Sequence, residues 1–143
     1  MEEEVKYMRI ALQEAEKALE KNEIPIGAII VCNDTIIAKA HNLTESLCDM
    51  SAHAEMQAFT AASFYLRSKY LKDCTLYVTL EPCSMCAGAA YWTQISKFVF
   101  GAYDQKYAHI NKKSLYHRST IIEGGVLEDE CASLIHNFFK NKR

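Results

Sequence analysis

Cys74-Thr75-Leu76-Tyr77-Val78-Thr79-Leu80-Glu81-Pro82-Cys83-Ser84-Met85-Cys86 decides how this chain is read. Cys74 to Thr79 is a short, dense run of β-favouring residues, and the run ends at Pro82, which fixes the chain at a helix start. Cys83 and Cys86, three apart, therefore fall on one face of the first helical turn. They sit just beyond the C-terminal end of a strand, where open α/β sheets place their ligand sites. The positive end of that helix lowers cysteine pKa, so both thiols arrive in the form that binds metal. Upstream lies Ala52-His53-Ala54-Glu55, with 27 residues between Glu55 and Cys83. One His and two Cys suit Zn²⁺, and three protein ligands, one zinc per chain, leave a coordination position open for water. Glu55 follows His53 by two residues, and a carboxylate next to such a water is the usual proton carrier.

Each piece has a plainer reading. An isolated Cys-x-x-Cys in a reducing compartment is often a redox pair, but a redox motif has no use for the upstream His-x-Glu. A lone His near an apolar helix is usually a core residue. A structural zinc would need a fourth ligand, for which His41 and Cys48 are the candidates, neither at motif spacing. His-x-Glu followed by Pro-Cys-x-x-Cys is instead the signature of zinc nucleobase deaminases.

Outward from this centre, residues 2–21 show helical spacing of Met8, Ala11, Leu12, Ala15, Ala18 and Leu19, with Glu2 to Glu4 at the favourable N-terminal end. This helix should lie on a sheet. Ala28 to Cys32 and Thr35 to Ala40 predict two strands joined at Asn33-Asp34, both covered on both faces because neither alternates cleanly. A polar loop follows, then a helix over about 52–67 with Ser51 as its candidate N-cap. The small residues Ala87, Gly88, Ala89 and Ala90 predict a helix from Ser84 to Thr93 that can pack closely on the sheet, on the His53 helix or on a second subunit. Lys97 to Gly101 reads as a strand, 102–119 sustains no period, Thr120 to Ile122 reads as a last strand, and Glu128 to Lys140 as a last helix. The order α-β-β-α-β-α-β-β-α predicts an α/β fold with three α/β/α layers around a mixed, mostly five-stranded sheet, one domain over 1–143.

With 143 residues and a formal net charge of −2, no global attraction to nucleic acid follows. The charge is uneven: residues 1–50 carry five Lys/Arg against ten Asp/Glu, whereas residues 101–143 carry seven against five. Lys106, Lys112, Lys113 and Arg118 form one late basic cluster, and Lys140, Lys142 and Arg143 another, either able to meet phosphates. The chain starts Met1-Glu2-Glu3-Glu4, without a signal-peptide pattern, and no apolar run approaches membrane-spanning length. The expectation is a cytoplasmic protein with no membrane partner and its six cysteines reduced.

His53-Ala54-Glu55-Met56 with Pro82-Cys83-Ser84-Met85-Cys86-Ala87-Gly88-Ala89 resembles the cytidine deaminase-like superfamily. Glu23-Ile24-Pro25-Ile26-Gly27-Ala28, His41-Asn42, Phe100-Gly101-Ala102-x-Asp104, and Gly125-Val126-Leu127 with Glu130-Cys131 and Phe138-Phe139 extend the likeness, nearly end to end, to the bacterial tRNA-specific adenosine deaminases. The resemblance implies homodimers that convert adenosine to inosine at the wobble position of a tRNA anticodon stem-loop. It also implies that Asn42 bonds the flipped nucleoside, that Asp104 contacts the RNA sugar, and that Phe138 and Phe139 flank the anticodon loop. Ala54 and Pro82, beside the metal ligands, are further candidates for substrate contact. Gln105 to Lys113 departs from the family pattern, keeping its Lys and lacking its glycines, which leaves room for a second reading: deamination of a free base or nucleoside, guanine or cytosine, by the same chemistry. A zinc-stabilised binding module is the non-enzymatic alternative, and a buried four-ligand site would mark it.

Overall fold

The computed structural model describes residues 2–142; Met1 of the acidic start and Arg143 of the last basic cluster lie outside the described residues. Its elements are α1 (Glu2–Glu20), β1 (Gly27–Cys32), β2 (Thr35–His41), α2 (Ala54–Leu66), β3 (Cys74–Leu80), α3 (Ser84–Thr93), β4 (Lys97–Ala102), β5 (Ile121–Glu123) and α4 (Glu128–Lys140). Two 3₁₀ turns, Gln105–Tyr107 and Lys112–Leu115, bridge β4 and β5. The expected five-stranded mixed sheet is present, in the order β2-β1-β3-β4-β5. β1 runs antiparallel to both neighbours, and β3, β4 and β5 are mutually parallel.

Strand periodicity divides the core into two layers. Ile29, Val31, Tyr77 and Val99 face α1 and α4, where they meet Tyr7, Met8, Ala11 and Cys131. Ala28, Ile30, Leu76, Val78, Phe98 and Phe100 face the opposite way, into the alanines of α2 and α3: Ala54, Ala58, Ala62, Ala87 and Ala90. Central strands covered on both faces have no polar side to show, which is why β1 and β3 read as continuous apolar runs. The small residues of α1 have a reason as well. A Cβ at Gly27 would collide with the Ala11 carbonyl and the Ala15 amide, so helix and strand backbones touch there.

Asn33 and Asp34 have φ of 49° and 63°, the conformation of a two-residue I′ turn, as the hairpin reading predicts. The expectation that both hairpin strands are covered on both faces holds for β1 only. β2 is the edge of the sheet, with Thr35 and Lys39 exposed, and an edge Lys discourages pairing with another chain. Ser51 does not cap α2: His53 is the N-cap residue, and the Ser51 hydroxyl donates to Asp49 at 2.7 Å. Among the described residues no helix is long and apolar enough to cross a membrane.

Candidate active site

β3 ends at Leu80, Glu81 and Pro82 turn the chain, and α3 starts at Ser84 with Cys83 as its N-cap residue at φ −73° and ψ 175°. His53 holds the same position on α2, at φ −70° and ψ 156°. Two helix N-termini therefore converge, and His53 Nδ1 lies 3.6 Å from Cys83 Sγ and 3.5 Å from Cys86 Sγ. Two donors bound to one tetrahedral zinc at roughly 2.0–2.3 Å lie about 3.5 Å apart, so this donor set fits the ion. All three ligand atoms fall within 4.8 Å of one another, and no fourth His, Cys, Asp or Glu joins the group among the described residues. His41 instead faces Glu14, Nδ1 to Oε1 at 3.5 Å, and Cys48 is exposed on its loop. The four-ligand structural site therefore has no fourth ligand.

The two thiols are unequal: Cys83 is held in the thiolate form while Cys86 keeps its proton, against the expectation that both arrive deprotonated. Metal binding would therefore have to displace the Cys86 proton. A hydrogen bond from Cys86 and another from His53 pull the Cys83 thiol down to about 4, although burial opposes them. Cys86 is pushed up, first by that same bond and then by burial. Imidazole Nδ1 is held up in turn, chiefly by its bond to Cys83. Glu55 is buried on the first turn of α2, and burial raises its carboxyl to about 7. A group poised there exchanges protons in both directions near neutral pH.

The cluster opens onto a cavity of about 750 Å³. His53, Ala54, Glu55 and Cys83 line its floor, while Asn42, Thr44, Tyr103, Asp104 and Lys106 come from loops and Ile135, His136 and Phe139 from α4. Asn42 is buried, and its Oδ1 has no hydrogen-bond partner, an unmet acceptor at the cavity wall. Its amide donates to the Ile26 carbonyl at 3.0 Å, which fixes the residue at the end of the hairpin. Asp104 caps the turn after β4: its carboxylate accepts the Lys106 amide at 3.2 Å and its own amide donates to Glu81 Oε1 at 3.0 Å.

Two candidates fall elsewhere. Pro82 is buried at the strand-to-helix turn and is not part of the cavity wall, because its ring serves the turn itself. Phe138 and Phe139 separate: Phe138 is 8% exposed and packs inward, whereas Phe139 is 48% exposed and lines the cavity. Consecutive helical residues point about 100° apart, which here turns Phe138 inward and leaves Phe139 on the cavity side. Ile24, Tyr103, Ile135 and His136 also line the cavity without a signal of their own in the sequence. The i, i+1, i+4 spacing of Ile135, His136 and Phe139 marks a second face of α4 and could have singled them out.

A family model described as the zinc-binding region of cytidine and deoxycytidylate deaminases matches residues 1–102. The chain is 43% identical over 143 residues to a tRNA-specific adenosine deaminase of Bacillus subtilis (strain 168), covering 96% of this chain and 89% of that protein. It is 44% identical over 144 residues to a tRNA-specific adenosine deaminase of Aquifex aeolicus (strain VF5), covering 96% and 94%. A solved structure from studies of A-to-I editing by tRNA:A34 deaminases superposes with a TM-score of 0.81 at 35% identity, covering 90% of this chain and 97% of that one.

Proposed function

The chain belongs to the cytidine and deoxycytidylate deaminase zinc-binding family, and from that premise we propose that it deaminates adenosine to inosine at the wobble position of a tRNA anticodon. The observation that carries the chemistry is Glu55, a buried carboxyl on the cavity floor that stands outside the three-residue ligand group. What carries the substrate is kinship: relatives named for tRNA-specific adenosine deamination match 96% of the chain at 43–44% identity.

Zinc held by His53, Cys83 and Cys86 would supply a Lewis acid that lets water lose a proton near neutral pH. Glu55 takes that proton as water adds to C6 of adenine and passes it to the ring nitrogen next to C6. It then takes the proton left on the added hydroxyl and delivers it to the departing amine, so the C6–N6 bond breaks, ammonia leaves and the water's oxygen remains as the carbonyl of inosine. Asn42 offers its unmet Oδ1 and its side-chain NH2 to the flipped nucleoside, and Ala54 lines the floor beneath the base. Tyr103, Tyr107, His136 and Phe139 give the wall planar faces, and Lys106 a cation, suited to splayed single-stranded bases and their phosphates.

The same reading takes residues 1–143 as one deaminase domain that works in the cytoplasm as a homodimer. α2 and α3 leave Phe64 69%, Tyr65 60% and Trp92 76% exposed on their outer faces, and apolar area of that kind is covered by a partner in a stable oligomer. Sedimentation velocity tests the dimer, with Trp92→Glu expected to release the monomer.

Incubation of zinc-loaded protein with an adenosine-containing anticodon stem-loop should yield inosine, while free adenosine, cytidine, cytosine and guanine release no ammonia. Ammonia from a free base or nucleoside alone would keep the chemistry and overturn the tRNA substrate.

A further inference from the structure

Glu81 stands between two cavities. One is the substrate cavity; the other, about 510 Å³, is lined by Glu81, Phe100, His109, Asn111, Lys112 and Tyr116 among others. Lys112 opens the second 3₁₀ turn and is 5% exposed, a rare state for an ammonium. Its Nζ has no hydrogen-bond partner and lies 3.4 Å from Glu81 Oε2. The other carboxylate oxygen of Glu81 accepts the Asp104 amide at 3.0 Å, and the Glu81 amide donates to the Ala102 carbonyl at 2.8 Å. Asp104 in turn accepts the Lys106 amide at 3.2 Å.

A continuous line of contacts thus runs from Lys112 through Glu81 to Asp104 and Lys106, from one cavity into the wall of the other. A desolvated ammonium is costly away from its counter-charge, so Lys112 holds the second 3₁₀ turn down on Glu81. The segment between the two 3₁₀ turns has no sheet ladder to fix it, and such segments otherwise open easily.

We propose that the Lys112–Glu81 ion pair is a positioning element that sets the Asp104–Tyr107 wall against the nucleotides flanking the target base, and so governs affinity for RNA rather than bond breaking. The proposal rests on the tRNA reading above. The proton carrier and the zinc ligands sit at the N-terminal ends of α2 and α3 and make none of these contacts, the nearest approach being along the chain from Glu81 through Pro82 to Cys83.

The test is steady-state kinetics of zinc-loaded wild type, Lys112→Met and Lys112→Arg on the anticodon stem-loop, with melting and zinc content recorded for each. Lys112→Met should raise KM about tenfold and leave kcat within about twofold, the pattern of lost binding common to ground and transition states. Lys112→Arg, which keeps the charge, should recover most of the KM. Unchanged KM in Lys112→Met, a loss confined to kcat, or an Arg variant no better than Met each overturns the proposal. If Lys112→Met does not fold, Lys112→Gln decides by the same KM criterion. An inactive wild type on the stem-loop would overturn the tRNA reading and this inference with it, whereas an active wild type with unaltered Lys112→Met kinetics overturns this inference alone.

Discussion

The metal cradle and the substrate wall face one cavity but are built in opposite ways. His53, Glu55, Cys83 and Cys86 all lie on the first turns of two helices whose alanines are packed on the sheet, so backbone geometry alone aims them. The wall is assembled from the end of the hairpin, the turn after β4, a 3₁₀ segment and one face of α4, joined by side-chain contacts such as Glu81 to Lys112. On the proposed function, the contrast teaches that the reaction is held by regular structure and the substrate by its connections. The chemistry should then be brittle, failing all at once, and recognition should be graded.

The sharpest break is at a ligand. Cys86→Ala removes a buried donor and leaves two, so zinc content should fall well below one per chain and turnover should vanish; metal analysis beside an activity assay checks both. Turnover that survives without bound zinc would remove the cradle from the chemistry. Glu55→Ala should separate the two roles, keeping stoichiometric zinc while kcat drops by about 10²–10⁴, the contribution of a positioned general acid–base group. Zinc lost with Glu55 would make it a ligand and contradict its place outside the donor group.

The two phenylalanines sharpen the comparison from the wall's side. Phe138→Ala empties a core position and should cost about 3–5 kcal/mol in stability, read as a lowered denaturant midpoint. Phe139→Ala should melt within about 0.5 kcal/mol of wild type yet weaken stem-loop binding by about 1–3 kcal/mol, the worth of one stacked base. Binding unaffected by Phe139→Ala would take α4 out of the substrate wall.

The cradle was legible because its parts are local. Pro82 marks a helix start, Cys83 and Cys86 share a turn, and His53 with Glu55 brings its own spacing, so the ligand set needed no tertiary information. The layers were legible for a similar reason, since the dense strand runs and the alanine-rich helices carry their burial in their periods. The wall was not. Nothing local tells that Asn42 keeps an unmet acceptor, that Phe138 turns inward while Phe139 turns out, or that Lys112 is buried; each depends on which distant segment arrives beside it. A lysine in a basic run reads as solvated surface, and only the fold reveals the carboxylate next to it. The irregular 102–119 stretch resisted for the same reason: two short 3₁₀ turns leave no period to find.

Glu23 offers the smallest and most graded test, because it supports the wall without touching the cavity. Its buried carboxylate accepts the Glu45 amide at 3.0 Å and both the amide and hydroxyl of Ser46 at 2.6 Å, holding the loop that follows Asn42 and Thr44. Burial pushes its carboxyl up, but the bonds from Ser46 and Glu45 prevail and hold it below the ordinary value. A carboxylate whose folded pKa is depressed stabilises fully above the ordinary carboxylate range, and that contribution is lost as pH falls through the folded value. Glu23→Gln should therefore cost about 1–2 kcal/mol at neutral pH, and its melting gap to wild type should narrow as pH falls below the ordinary carboxylate range. A gap that stays constant with pH would mean that shape and not charge anchors the loop. The wall would then be set by packing, as the cradle is, and the difference between the two regions would narrow to the Lys112–Glu81 pair.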